Sequence, residues 1–226
     1  MAAAGHRAVR LLMFGAPGVG KGTQAGALSG RLGVPHLATG DMLRAAIRGG
    51  TPEGLKVRAI VERGELVPDA LISDLVGARL AQSDMQGGFI LDGFPRTVGQ
   101  AEYLDRALQA SGRAIDAVVN ITVPESEIVA RLGGRRVCPA CGATYHAAFQ
   151  PSKAADVCDA CGGRLERRAD DAEEVVRGRL EVYARQTAPV LEHYRAAGLL
   201  QEVDGVGSPE EVGARIEAVL DGLTRR

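Results

Sequence analysis

Short apolar runs alternate with longer amphipathic stretches along most of the chain. Five short runs, rich in β-branched and other apolar residues, predict buried strands at residues 8–14, 34–38, 88–91, 117–123 and 199–203. Strands that alternate with helices are typical of a parallel sheet with helices on both faces. We therefore expect an α/β fold in which a parallel five-stranded sheet is flanked by helices.

Helical spacing of apolar positions, bounded by Pro, Gly or Thr, predicts eight helices, at residues 20–32, 41–48, 52–63, 68–81, 97–110, 124–132, 173–194 and 209–223. The longest of them places Val176, Leu180, Tyr183, Val190 and Tyr194 on one stripe. The small and polar residues 1–7 are interpreted as a frayed lead into the first strand.

Two stretches interrupt the alternation of strands and helices. Residues 39–67 contain helices with no strand between them, and residues 135–167 carry four cysteines and show no helical period. Both are interpreted as inserts on one core. The predicted division is a core of residues 1–38, 68–133 and 172–226, a helical insert of residues 39–67, and a cysteine-containing insert of residues 134–171.

Composition excludes several partners. The 226 residues have a formal net charge of −1, so no global basic field is available for nucleic acid or an anionic membrane. The chain has no Trp, four Phe and four Tyr, which leaves few aromatic platforms for single-stranded nucleic acid. No apolar run approaches the length of a membrane span. We expect a cytoplasmic protein, and a monomer, since no exposed apolar stripe stands out.

A glycine-rich loop, GAPGVGKGT at residues 15–23, follows the first predicted strand and opens a helix. In this context the backbone N–H groups form a nest for phosphate at a helix N-terminus, and Lys21 adds a mobile positive charge. The residue after Lys21 is Gly22, and the hydroxyl of Thr23 comes one position later than in the general phosphate-loop pattern. The sequence therefore predicts nucleotide binding but not direct Mg²⁺ ligation by this loop.

The cysteines form two CxxC pairs, at Cys138, Cys141, Cys158 and Cys161. The stretch between the pairs has the length of paired zinc knuckles. Four thiolates close a tetrahedral sphere and leave no position for water, so a structural Zn²⁺ is expected. Free cysteines or a disulfide are the alternatives. A secretion signal, which would favour a disulfide, is not found in the sequence. His146 lies nearby but is not needed as a ligand.

Three further stretches carry a family resemblance: ATGDMLR at residues 38–44, LDGFPRT at 91–97 and RRADD at 167–171. With the glycine-rich loop they resemble the adenylate kinase family, from about residue 10 to the end of the chain. The cysteine pairs are similar to those of zinc-containing bacterial-type members. The resemblance implies Mg²⁺-dependent transfer of a phosphoryl group from ATP to AMP, giving ADP. It also implies that the two inserts are an AMP-binding segment and a lid over ATP.

The resemblance also implies the roles of individual residues. The AMP site would consist of Thr39, Arg44, Glu65, Leu66, Val67, Gly93, Phe94, Pro95, Arg96, Gln100, Arg168 and Arg179. The ATP site would consist of Gly18, Val19, Gly20, Lys21, Gly22, Thr23, Arg131, Thr144, Tyr145 and Gly207. The catalytic groups would be Lys21, Asp92, Arg96, Arg135, Arg168 and Arg179. Several arginines suit a transition state whose negative charge is spread over three oxygens.

Other interpretations remain open at this point. A kinase for UMP or CMP is the nearest alternative, and Thr39 with Gln100 favours adenine only by resemblance. A switch GTPase would need a base-reading NKxD-type stretch, which is not found. A nucleic-acid-binding zinc protein is the non-enzyme alternative. Asp170 and Asp171 either favour the N-terminus of the long helix or make a hinge or closing contact. Arg177 and Arg185 are expected on the surface.

Overall fold

The computed structural model describes residues 8–224, and within them the predicted sheet is confirmed. The strands are β1 (Val9–Phe14), β2 (His36–Ala38), β3 (Gly88–Asp92), β4 (Ala117–Thr122), β5 (Arg135–Val137), β6 (Thr144–His146) and β7 (Leu200–Asp204). Five of them form one parallel sheet in the order β2-β3-β1-β4-β7. The predicted lead at residues 1–7 lies outside the described residues.

The helices lie close to their predicted positions. They are α1 (Lys21–Leu32), α2 (Thr39–Arg48), α3 (Pro52–Glu62), α4 (Asp69–Leu80), α5 (Val98–Gln109), α6 (Glu125–Gly134), α7 (Glu173–Val182), α8 (Ala188–Ala196) and α9 (Pro209–Thr224). Short 3₁₀ turns occupy Ser83–Met85 and Ala169–Asp171. Thr97 caps α5 as expected, because its hydroxyl accepts a hydrogen bond from the Gln100 N–H. Among residues 8–224, none of the helices combines the length and the hydrophobicity of a membrane-spanning segment.

Both faces of the sheet are covered. Successive residues of β1 point to opposite faces, so Leu12 and Phe14 pack with α4, α5 and α8, whereas Leu11 and Met13 pack with α1 and α9. Burial on both faces explains the continuous apolar runs. Because helices cover both faces, a ligand can reach the sheet at the carboxyl ends of its strands, where β1 and β3 are neighbours.

The long helix predicted at 173–194 is divided by a π-helical segment, Tyr183–Thr187, between α7 and α8. Val176 packs on the α1 side of the sheet, whereas Val190 and Tyr194 pack on the α5 side. A π turn changes the direction of all later side chains and is frequent at functional sites. The prediction of a single apolar stripe is therefore wrong, because α7 packs on one face of the sheet and α8 packs on the other.

The two interrupting stretches differ in structure. Residues 39–67 contain α2 and α3 packed against each other, as expected. Residues 134–171, called the cysteine segment below, contain the antiparallel hairpin β5–β6, and further single bridges join Val137 to Glu166 and Val157 to Arg164. These strands were not predicted, because β5 and β6 are three residues long, mostly polar and without a fully buried position, so neither forms an apolar run.

Candidate active site

The glycine-rich loop joins β1 to α1 and closes tightly around its lysine. Gly15 and Gly18 have φ values of 133° and 88°, and a Cβ atom on Gly15 would lie 2.4 Å from the Ile121 carbonyl oxygen. Only glycine fits these positions. Lys21 Nζ donates to the carbonyl oxygens of Gly15 and Ala16 at 2.8 and 2.9 Å. The loop thus holds the Lys21 ammonium group beside the backbone N–H groups that would bind an anion.

Asp92 ends β3 beside this loop. Its Oδ2 lies 3.6 Å from His36 Nε2, and a Cβ atom on Gly22 would lie 3.4 Å from the same oxygen. Burial lowers the pKa of Lys21 to about 8, although Asp92 opposes this shift. Burial by itself would raise the pKa of Asp92, but His36, Lys21 and Arg96 together hold it below its usual range. The carboxylate is therefore ionised next to the phosphate loop.

A cleft extends from the loop to the helical insert. One part of it is lined by nine of the residues predicted for AMP, namely Thr39, Arg44, Glu65, Leu66, Val67, Gly93, Arg96, Gln100 and Arg179. The other part is lined by Gly15, Lys21 and Pro95 among others, and it shares Gly64, Leu66, Gly93, Arg96 and Arg179 with the first. The two parts are continuous at Arg96 and Arg179. Phe94 is buried in the core instead.

Cations are concentrated along this cleft. Arg96 Nε donates to the Gly93 carbonyl oxygen at 2.8 Å, and Arg179 Nη1 lies 2.9 Å from Asp170 Oδ2. Arg135 pairs with Asp171, and Arg168 Nη2 lies 3.5 Å from Asp41 Oδ1. Six positively charged side chains interact electrostatically here with four carboxylates. The cations are Lys21, Arg44, Arg96, Arg135, Arg168 and Arg179, and the carboxylates are Asp41, Asp92, Asp170 and Asp171.

Burial makes this excess of positive charge costly. Burial lowers the pKa values of Arg96 and Arg168 to about 10 each, with neighbouring arginines adding to the effect. Arg168 Nε is buried with no hydrogen-bond partner among the described residues. Buried charges are normally paired. A cleft with unbalanced guanidinium groups is therefore built for a ligand with several negative charges, such as a polyphosphate.

Two arginines hold the turn that follows β7, at residues 204–207. Arg131 on α6 donates to the Gly205 carbonyl oxygen at 2.9 Å and to that of Val19, in the phosphate loop, at 3.3 Å. Arg215 on α9 donates to the carbonyl oxygens of Asp204 and Val206 at 2.8 and 2.6 Å. The turn that ends at Gly207 is thereby fixed relative to the phosphate loop.

The four cysteine Sγ atoms lie within 4.8 Å of one another. Cys138 and Cys161 are separated by 3.4 Å, and Cys141 and Cys158 by 3.5 Å. Sulfurs about 2.3 Å from one ion at tetrahedral corners would be separated by a little under 4 Å, so the set fits Zn²⁺. The Tyr145 hydroxyl lowers the pKa of Cys158 to about 6. His146 Nδ1 accepts hydrogen bonds from the backbone N–H groups of Ala148 and Phe149.

Comparison with known proteins agrees with this arrangement. The family model described as adenylate kinase matches residues 13–199. The adenylate kinase of Methanocella arvoryzae is 50% identical over 95% of this chain and 100% of its own length. That of Citrifermentans bemidjiense is 52% identical over 94% of this chain and 99% of its own length. The chain belongs to the adenylate kinase family. The predicted resemblance is thereby confirmed.

Within this adenylate kinase fold, three residues predicted for ATP, Thr23, Thr144 and Tyr145, do not line either part of the cleft. The Tyr145 hydroxyl lies 3.5 Å from Cys158 Sγ and accepts from the Asp159 N–H at 2.9 Å, so this side chain supports the cysteine cluster. Thr144 and Thr23 are exposed. Arg177 and Arg185 are exposed, as expected. The nucleotide contacts of the individual residues stay predictions.

Two residues that matter to the adenylate kinase cleft, Asp69 and Arg215, were not predicted, and Asp171 was predicted only as a charge at the helix N-terminus or as a hinge or closing contact. Asp171 is the buried partner of Arg135 and Arg179. Asp69 bonds the Gln100 amide, and Arg215 holds the turn after β7. The RRADD stretch was a signal for Asp171. For Asp69 and Arg215 the sequence carries no signal, because both act through partners far along the chain.

Proposed function

We propose that this chain catalyses the reversible reaction ATP + AMP = 2 ADP. The observation that carries the proposal is the continuous cleft, in which Arg96 and Arg179 line both the part next to Lys21 and the part next to Gln100 and Arg44. A donor phosphate on the loop and an acceptor phosphate in the second part would meet at these two arginines. The names of the relatives, all adenylate kinases, support the same reaction.

The two nucleotides would bind at opposite ends of the cleft. The loop N–H groups and Lys21 suit the β- and γ-phosphates of ATP, and the turn at Gly207, with Arg131, would meet its base. Thr39, the 65–67 segment and Gln100 would hold the base and sugar of AMP. Arg44 and Arg96 would grip its phosphate, because a guanidinium fork binds two phosphate oxygens at once.

The chemical step needs little beyond positioning and charge. An oxygen of the AMP phosphate, already ionised, forms a bond to the γ-phosphorus, and the bond from that phosphorus to the β–γ bridging oxygen breaks. A lone pair of the attacking oxygen becomes the new bond, the electron pair of the broken bond leaves with the bridging oxygen as part of ADP, and no proton must move. The charge spread over the equatorial oxygens would be stabilised by Lys21, Arg135, Arg168 and Arg179. Asp171 and Asp170 hold Arg135 and Arg179 in place in advance.

Two metal ions belong to the proposal. Mg²⁺ bound with ATP would neutralise phosphate charge, and the ionised Asp92 is the residue suited to hold it through its waters. Zn²⁺ on the four cysteines would be structural, since four thiolates leave no open position. It would replace a hydrophobic core in the cysteine segment, where the buried cluster comprises little more than Cys138, Cys158 and Leu165.

We further propose that the cysteine segment is a lid that excludes water, and that the helical insert closes over AMP. The contact between Arg168 of the cysteine segment and Asp41 of α2 supports such a pairing. We also propose a monomer that acts on free cytoplasmic nucleotides without nucleic acid or membrane partners, in line with a formal net charge of −1 over 226 residues.

A panel of acceptors tests the proposed function. With ATP and Mg²⁺, we expect rapid ADP formation with AMP and much slower formation with UMP or CMP. If ADP forms fastest with UMP or CMP, that monophosphate and not AMP is the acceptor substrate. Hydrolysis of ATP without any acceptor dependence would overturn phosphoryl transfer itself.

A further inference from the structure

A chain of hydrogen bonds fixes the side-chain amide of Gln100. Gln100 is 2% exposed and lines the cleft with Thr39 and Arg44. Its Oε1 accepts from the Arg96 backbone N–H at 2.7 Å, and its Nε2 donates to Asp69 Oδ1 at 2.7 Å. The second carboxylate oxygen of Asp69 accepts from the Thr97 hydroxyl at 2.6 Å. Both oxygens of this carboxylate are therefore engaged.

The chemistry of the two neighbours decides which way the amide faces. A backbone N–H only donates, and an ionised carboxylate only accepts. A reversed amide would place its NH₂ group against the Arg96 N–H and its carbonyl against the Asp69 carboxylate. Both contacts would be repulsive. Asp69 is the first residue of α4, and Thr97 caps α5, so two helix ends hold the orientation.

The fixed amide keeps one donor and one acceptor for a ligand. A primary amide offers two N–H groups and two lone pairs on its oxygen. Arg96 and Asp69 use one of each, and these are the bonds that the amide makes among residues 8–224. The side chain therefore presents an acceptor next to a donor, in an order that cannot be exchanged.

We propose that Asp69 is a positioning residue that determines the choice of purine at the acceptor site. This inference rests on the proposed function, in which Gln100 meets the base of AMP. Adenine presents an amino donor at C6 beside the acceptor N1, which matches the fixed amide. Hypoxanthine and guanine present an oxygen at C6 beside an N1–H donor, which opposes the amide in both bonds. Hypoxanthine and guanine would be rejected because two acceptors and two donors would then face each other, and none of the four would have a hydrogen-bond partner.

Replacing Asp69 by Ala removes one of the two restraints and lets the amide turn to suit either base. We expect the ratio of kcat/KM for AMP to that for IMP to fall by about tenfold or more, mainly through KM for the monophosphate. The KM for ATP should stay within about twofold. Asp69→Asn keeps an acceptor of the same shape but can itself reverse, so its ratio should lie between those of the wild type and Asp69→Ala.

The experiment measures AMP and IMP as acceptors for the wild type, both Asp69 variants and the matched control Asp74→Asn, an exposed position on the same helix. An unchanged ratio in both Asp69 variants overturns the inference. Parallel loss of activity with both acceptors also overturns it, because that marks general damage. If the wild type forms no ADP from AMP, the proposed function itself fails. If it does and only the ratios stay unchanged, the Asp69 inference fails alone.

Discussion

Arg135 donates a hydrogen bond from Nε to Oδ2 of Asp171 at 2.7 Å, and the carboxylate that accepts it is completely buried. Oδ1 of the same carboxylate lies 3.5 Å from Arg179 Nη1. One aspartate thus positions an arginine at the start of the cysteine segment and another on α7. Catalysis that depends on charges placed in advance depends equally on the anions that hold them.

Asp171→Ala should therefore affect both stability and rate. Removing one partner of a buried ion pair leaves unpaired charge, so we expect a loss of about 3 kcal/mol in the free energy of unfolding. The kcat should fall on the order of 100-fold, because the arginines lose their geometry. Denaturant unfolding and steady-state kinetics measure the two effects. Glu173→Ala removes the exposed Arg177 pair and serves as the control, with little expected change in the free energy of unfolding because solvent screens an exposed pair. Equal effects of the two substitutions would contradict this role for Asp171.

The pH dependence of ATP binding should follow Lys21. Burial lowers its pKa from 10.5 to about 8 in the folded protein without nucleotide. The cationic form is the one that binds phosphate, so kcat/KM for ATP should decrease as the pH rises above about 8. Lys21→Arg keeps its charge across this range and should not show that decrease. A wild-type profile of kcat/KM that stays flat to pH 10 would contradict this dependence on the charge of Lys21.

The same shift has a consequence for stability. The unfolded chain binds the Lys21 proton more tightly than the folded chain does, so stability rises between about pH 8 and 10.5, and is lost again as the pH falls through 8. The wild type minus Lys21→Met difference in unfolding free energy should therefore become more favourable to the wild type across that range. A difference that is independent of pH would contradict the burial of this charge.

Removal of the metal should destabilise the cysteine segment. We expect about one zinc per chain by elemental analysis, and a decrease in melting temperature on the order of 10 °C after treatment with a strong chelator. Added zinc should restore the original value. The double variant Cys158→Ser, Cys161→Ser should already melt lower and show no further response to the chelator. Purified protein that lacks zinc and ignores the chelator would exclude the metal site.

Arg215→Ala should weaken ATP binding selectively. The guanidinium holds two carbonyl oxygens of the turn that ends at Gly207, so its loss should raise KM for ATP by about fivefold and leave KM for AMP unchanged. Arg185→Ala, at an exposed position on the π segment, is the control. Equal increases in both KM values would indicate a general structural effect instead.

The sheet was predictable because its three central strands, β1, β3 and β4, are apolar runs buried on both faces, as with Leu11 to Phe14 in β1. The cleft was predictable as far as motifs reach, since the glycine-rich loop and LDGFPRT place Lys21 and Arg96 at neighbouring strand ends. The rest depends on contacts between distant parts of the chain. The π segment keeps a nearly helical spacing, and the contact of the Tyr145 hydroxyl with Cys158 could not be predicted because local sequence does not determine side-chain direction. Asp69 meets Gln100 only after α4 and α5 pack together.

The most direct test follows the γ-phosphoryl group of labelled ATP, with Mg²⁺, in the presence and absence of AMP. We expect label to appear in ADP only when AMP is present, with two ADP formed for each ATP consumed. Arg96→Ala removes a guanidinium shared by both parts of the cleft and should lower this transfer by on the order of a thousand-fold. Labelled ADP formed without AMP, or full activity in Arg96→Ala, would contradict phosphoryl transfer from ATP to AMP in this cleft.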